Sequence, residues 1–304
     1  MLLFKRKPRI SNSRIVMTLL VRDEADVIDL FVRYHAGLGL DGLIVTDNGS
    51  NDGTREILDA HLRTGAITEI IDESSRVFTQ TKFVDRMICR ARDHYAADYC
   101  INSDADEFWH PNDGSFRHQL DRSRADIIRC TSFHMLPALA DAPFWSATNR
   151  IAKRAKAEKF GKRRHYNLFD NPTHKSIHRT LGYRMVGPGN HDVTMEDGVL
   201  ENSRGIFLYH YGLRSVTQFR KKILQSGAAI EANKSAAESE GSHWRYLYRG
   251  YNAGTLDLEA EFYNITGKEE LEDFRKAGVV VSDSTMKDAL GELQKMSVQA
   301  LSST

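Results

Sequence analysis

The first 110 residues alternate short apolar runs with longer stretches whose apolar residues recur every three or four positions, and this alternation constrains the fold most. Residues 15–21 are β-branched and aliphatic, which predicts a strand ending at Arg22, Asp23 and Glu24. Val27, Phe31, Tyr34 and Leu38 then mark one face of a helix closed by Gly37 and Gly39. Residues 42–46 predict a second strand, and Ile57, Leu58 and Leu62 a second helix stopped by Gly65. Residues 66–71 predict a third strand. Val84, Met87, Ile88, Ala91 and Tyr95 form a third helical stripe, and residues 99–102 a fourth strand. The expectation is an α/β fold: a Rossmann-like, mostly parallel central sheet with helices on both faces.

Two acidic signatures sit where such a sheet binds ligands. Thr46-Asp47-Asn48-Gly49-Ser50-Asn51-Asp52-Gly53-Thr54 follows the second strand, and Asn102-Ser103-Asp104-Ala105-Asp106-Glu107-Phe108 follows the fourth. Open α/β sheets bind ligands at the C-terminal ends of their parallel strands. Asp104 and Asp106, at i and i+2 at a strand end where the chain turns, can both converge on one hard cation with positions left for phosphate oxygens. Other motifs fall away. Asn48, Ser50, Asp52, Gly53 and Asp59 mimic a calcium loop, yet a strand precedes them and position twelve is Asp. Gly37, Gly39 and Gly42 spell G-x-G-x-x-G between a helix and a strand, the reverse of the placement that phosphate binding needs.

The second half is less regular. Residues 126–132 predict a strand, and residues 176–180 with 183–186 a hairpin around Gly182. Between them, residues 153–165 hold seven Lys or Arg among thirteen, read as a solvated face or an anion-binding flank. Residues 206–211 predict another strand. Ser215 and Gln218 form a capping box for a helix that turns Val216, Phe219, Ile223 and Ile230 inward, and residues 256–263 and 286–296 look helical.

The bulk numbers narrow the class. In 304 residues, 41% are hydrophobic and the formal net charge is +1, which argues against a general nucleic-acid binder. No apolar stretch approaches the roughly 20 residues that span a bilayer. Lys5-Arg6-Lys7-Pro8 cuts short the apolar start, so no signal-peptide core is expected there. Cys89, Cys100 and Cys130 fit neither a disulfide framework nor a zinc set. The expected setting is cytoplasmic, with at most peripheral contact at the inner face of the membrane.

The motifs in order, Val21-Arg22-Asp23-Glu24-Ala25, Asp47 to Thr54 and Asp104 to Phe108, resemble the nucleotide-sugar-binding half of a family 2 glycosyltransferase. His210-Tyr211-Gly212-Leu213-Arg214-Ser215, leading to Phe219 and Lys222, is similar to the related family 92 enzymes. The resemblance implies a glycosyltransferase-A fold and transfer of a sugar from a nucleotide diphosphate, in the order basic tail 1–13, donor half 14–130, acceptor-side half 131–232 and helical extension 233–304. It assigns Asp47 to the base, usually uracil, and Arg22, Asp23, Glu24, Asn48, Ser50 and Asp52 to the surrounding nucleotide loops. Asp104, beside Ala105, falls near the ribose and metal, and Asp106 becomes the direct ligand of Mn2+ or Mg2+. His210 takes a late metal or diphosphate contact, with a structural role equally open.

Basic groups near a diphosphate, Lys175, Arg179 or the 153–164 run, would add to stabilisation of the leaving group. An inverting transfer needs an acceptor-side carboxylate; family offset points to Asp192, with Glu196 and Glu107 as rivals. Family enzymes often carry Glu-Asp where this chain has His191-Asp192. Neither a Gln-x-x-Arg-Trp motif nor membrane helices are present, so addition of one or a few sugars to a glycan or glycolipid is expected. The alternatives are a metal-dependent sugar nucleotidyltransferase or phosphohydrolase, and a binding module without turnover.

Overall fold

The computed structural model describes residues 11–74, 80–138, 142–153, 168–169, 173–232 and 241–302. The basic run at 153–165 lies outside these residues except for Lys153. The chain divides into two compact units, Met1–Ser132 with Thr173–His210, and Phe133–Pro172 with Tyr211–Thr304. The first unit is thus discontinuous in sequence.

It begins with β1 (Ile15–Val21), α1 (Ile28–Ala36), β2 (Gly42–Asp47), α2 (Thr54–Thr64), β3 (Glu69–Asp72), α3 (Gln80–Asp93) and β4 (Tyr99–Ser103). Then come β5 (Glu107–Pro111), α4 (Phe116–Leu120) and β6 (Ile127–His134). After β7 (Asn149–Ile151), which belongs to the second unit, the chain returns as β8 (His174–Arg179), β9 (Tyr183–Val186), β10 (Val193–Met195) and β11 (Leu200–His210). Eight of these strands form one sheet in the order β3-β2-β1-β4-β8-β6-β11-β5.

The β3-β2-β1-β4 half is parallel, and β8 runs antiparallel to both β4 and β6. β1, β2 and β4 are buried on both faces, while β3 at the edge is partly exposed. Val16, Ile44 and Cys100 meet Val84, Met87, Ile88 and Ala91 of α3. Ile15, Met17, Val45 and Ile101 point the other way and are also buried. The α/β architecture is therefore as expected, with its antiparallel half a refinement.

The expected hairpin around Gly182 does not form. β8 pairs with β4 and β6, while β9 pairs with β10 in a separate two-stranded sheet. The reason is burial: five of the six residues of β8 are buried, which suits a central strand and not an exposed ribbon.

The second unit holds α5 (Val216–Ala232), α6 (Ser242–Asn252), α7 (Leu258–Thr266), α8 (Leu271–Lys276), β12 (Val280–Ser282) and α9 (Thr285–Ser302), with β12 antiparallel to β7. Its core gathers Phe219, Ile223, Leu247, Phe262, Ile265 and Phe274. Ser215 caps α5 by accepting from the Gln218 N–H at 3.1 Å. C-terminal helices are present, as the expected fold class had them. No helix among the described residues is long and apolar enough to cross a membrane.

Two buried histidines in the first unit are held neutral. His35 Nδ1 donates to the Phe31 carbonyl at 2.9 Å, and its Nε2 accepts the Trp109 N–H at 3.1 Å. His178 Nε2 accepts from Asn102 Nδ2 at 3.1 Å. Burial pushes the His35 pKa down to about 3 and that of His178 down to about 4. The unfolded chain takes up these protons below about pH 6.5 and the folded chain does not, so stability falls as pH drops from there. Each histidine accounts for about 2 kcal/mol lost by pH 5. Urea midpoints at pH 7 and pH 5 check this; equal midpoints would contradict it.

Candidate active site

The sheet order places β1 between β2 and β4, so the chain reverses its direction of travel across the sheet at the β1–β4 boundary. The crevice at such a switch point is where open α/β sheets bind ligands. Asp47 is level with Val21, and Ser103 with Leu19, so the ends of β2 and β4 flank β1 on one rim. Two strand spacings separate them, about 10 Å. The two acidic signatures therefore meet on one edge.

On the β2 side, the loops after β1 and β2 are stitched together. Asp23 adopts φ 57°, a left-handed backbone that is uncommon outside glycine, and its Oδ1 accepts the Asn51 N–H at 2.7 Å. Ser50 Oγ accepts the Asp23 N–H at 3.0 Å, and Asp47 Oδ1 accepts the Ser50 N–H at 3.0 Å. Asp52 Oδ1 accepts from the N–H of Thr54, the first residue of α2, at 3.1 Å, and Asp52 Oδ2 accepts from the Ala25 N–H at 3.3 Å. Gly53, with φ 97°, makes the sharp entry to α2 possible. Glu24 joins through its N–H to Thr54 Oγ1 at 2.8 Å, and Asn48 Nδ2 donates to the Glu73 carbonyl at 3.2 Å. Arg22 stays half-exposed, its Nε 3.9 Å from Asp23.

Sequence reasoning missed Arg55. Its Nη1 lies 3.7 Å from Asp47 Oδ2 and pairs with Asp72 at the end of β3, while its Nε bonds Asp59 at 2.9 Å. The i,i+4 spacing of Arg55 and Asp59 was the only local signal.

On the β4 side, Asp104, Ala105 and Asp106 form the turn into β5. Lys175 Nζ, only 1% exposed, donates to Asp104 Oδ2 at 2.8 Å and pairs with Glu107 Oε2 at 2.7 Å. Glu107 Oε2 also accepts the Asp104 N–H at 3.0 Å. Burial drives the Glu107 pKa up to about 7, helped by Asp104 and Asp106 and opposed by Lys175 and His210. For Lys175, burial disfavours the charge, but Asp104 and Glu107 outweigh it and hold the ammonium pKa above its ordinary value.

Asp106 is buried, with Oδ1 3.5 Å from His210 Nε2, because His210 at the end of β11 pairs with Glu107 across the sheet. The donor chemistry suits a small hard cation. Ligands about 2.1 Å from one ion stand about 3 Å or more apart, so a carboxylate oxygen and an imidazole nitrogen at this separation can share one. No group of three or more His, Cys, Asp or Glu converges in this way among the described residues. Asp106 and His210 are the two such donors that approach each other at this turn.

The segment after β9 closes toward Asp104. Asn190 Nδ2 is 3.5 Å from Asp104 Oδ1, and Asn190 holds φ 58°. Gly189 is required beside it, since a Cβ there would meet the His191 ring at 2.8 Å. Two residues on, Asp192 Oδ1 accepts from His174 Nε2 and Arg129 Nη2, both at 3.0 Å. The His174 bond, followed by Arg129, holds the Asp192 carboxyl below the usual carboxylate range. Asn190, His174 and Arg129 were not among the expected site residues.

Two expected site residues stand elsewhere. Arg179 is level with Tyr99 at the start of β4, the opposite end of the strand from Asp104, and bonds the Ala125 carbonyl at 3.1 Å. Glu196 pairs with Arg184 and donates its N–H to Gly182, beyond that same far end. Antiparallel β8 carries Lys175 to the rim and Arg179 away from it.

The family model of glycosyltransferase family 92 matches residues 17–201, more than half of the sequence. The chain belongs to glycosyltransferase family 92. The match includes Asp23, Asp47, Asp104, Asp106, Lys175 and Asp192, and stops before His210. No curated protein matches this family 92 chain by sequence. Among solved structures it is similar to S. aureus TarS, at 10% identity and a TM-score of 0.40, covering 78% of this chain and 43% of TarS. TarS 1-349 in complex with UDP matches at 11% identity and a TM-score of 0.40, covering 82% of this chain and 77% of that one. Glucosyl-3-phosphoglycerate synthase from Mycobacterium tuberculosis, in complex with Mn2+, UDP and glucosyl-3-phosphoglycerate, matches at 17% identity and a TM-score of 0.31, covering 40% of this chain and 44% of that one. The chain thus spans less than half the length of full TarS.

Proposed function

We propose that this family 92 member transfers a sugar from a UDP-sugar to a hydroxyl of a glycan or glycolipid, with inversion, adding one or a few units on the cytoplasmic side. The observation that carries the reading is the meeting of Asp47 and Asp106 on one rim, either side of the β1 switch point. Asp47, buried at the end of β2, accepts from the nucleobase, and the loops pinned by Asp23 and Asp52 close around the nucleoside. Asp106 and His210 would hold a divalent ion, Mn2+ or Mg2+. Such an ion supplies charge stabilisation to the departing diphosphate. Asp192 takes the proton of the attacking hydroxyl; its low pKa keeps it ionised at neutral pH, ready to accept.

The test is product analysis by mass spectrometry with the common UDP-sugars and a panel of glycan and glycolipid acceptors. Release of UDP with an acceptor heavier by one sugar is the expected result. Release of pyrophosphate would assign nucleotidyl transfer, and binding of UDP with no turnover of any donor would assign a binding module.

A further inference from the structure

Lys175 was expected at the diphosphate, and its geometry points to a different task. β8 pairs with β4 up to Ile101↔Ile177, and two residues before Ile177 the Lys175 side chain reaches the turn that carries Asp104 to Glu107. Its ammonium is sealed from solvent and spans two carboxylates at 2.8 and 2.7 Å, whereas the Asp104 side chain above it is 35% exposed. Asp104 is engaged on both oxygens, Oδ2 by Lys175 and Oδ1 by Asn190. Asp106, two residues on, faces His210 instead.

We propose that Lys175 is a positioning residue, a built-in counter-cation that occupies Asp104 and Glu107 and leaves Asp106 with His210 as the pair presented to a divalent ion. The inference rests on the metal-assisted reading above. Its consequence is electrostatic. Three carboxylates in four residues would attract a divalent ion strongly by themselves, and an ammonium fixed on two of them lowers that attraction. Ion binding then depends on the diphosphate that arrives with it. An ammonium serving only to fill space and stabilise the fold would have no such effect.

The experiment is Mn2+ titration of the nucleotide-free protein, read by the paramagnetic resonance signal of free Mn2+. Lys175→Met frees Asp104 and is expected to tighten Mn2+ about tenfold. The double variant Lys175→Met/Glu107→Gln, which leaves no buried carboxylate without its ammonium, is expected to do the same. Asp104→Asn, in an otherwise native protein, is expected to change Mn2+ affinity by less than about threefold, and Asp106→Asn to weaken it at least about tenfold. Folded Lys175 variants with unchanged or weaker Mn2+ binding would overturn the inference. So would an Asp104→Asn loss as large as that of Asp106→Asn, whether or not the Lys175 variants fold. If Asp106→Asn binds Mn2+ like the wild type, the metal-assisted reading fails first.

Discussion

Asp106→Asn is expected to lower kcat/KM for the UDP-sugar by about 10^3-fold, the size of losing one preorganised contact to developing charge. The substitution keeps shape and burial and removes only the anionic oxygen that stands 3.5 Å from His210. Because that contact matters most as the diphosphate departs, the loss should fall mainly on kcat, with KM moving less. His210→Ala should act in the same direction, and the pair should be non-additive because both would serve one ion. Rates within about threefold of wild type for Asp106→Asn would remove this residue from the chemistry.

Asp192→Asn is the second large effect, expected to cost about 10^2- to 10^4-fold in kcat, as loss of a general base does. Its carboxyl is held below the usual carboxylate range by His174 and then Arg129, so it is ionised at neutral and mildly acidic pH. The sign follows: any fall in wild-type rate between pH 7 and pH 5 belongs to another group, and the Asp192→Asn profile should keep the same shape at a lower level. If Asp192→Asn retains the wild-type rate, the base is elsewhere on the rim. Glu196 is no candidate there, paired as it is with Arg184 at the far end of the sheet.

Much of the first unit was legible because its strands are apolar and its helices amphipathic. Residues 15–21 came out as β1 with the same bounds, α1 buried Phe31 and Tyr34 of its stripe, and α3 buried Val84, Met87, Ile88 and Ala91. Asp47 and Asp104 could be placed because a carboxylate just past a buried parallel strand has one rim to occupy. The rest depended on contacts between distant residues. Residues 176–180 and 183–186 read as a hairpin since Gly182 lies between them, and only the full sheet shows β8 to be central. No strand was expected at Glu107–Pro111, for its partner, β11, lies about a hundred residues on. Lys175 finds Asp104 across 71 positions, a pairing no local pattern announces. Direction along one strand separates it from Arg179, which the sequence presented as its equal.

The central claim, that strand-end carboxylates from two motifs grip one sugar nucleotide, is tested most directly by calorimetric titration of UDP in the presence of Mn2+. Wild type, Asp47→Ala and Asp106→Asn should be compared. Both variants should bind at least about tenfold more weakly, a loss of about 1.4 kcal/mol or more. The Asp106→Asn deficit should disappear when Mn2+ is left out, while the Asp47→Ala deficit should persist. UDP binding with wild-type affinity by both variants would contradict the shared site.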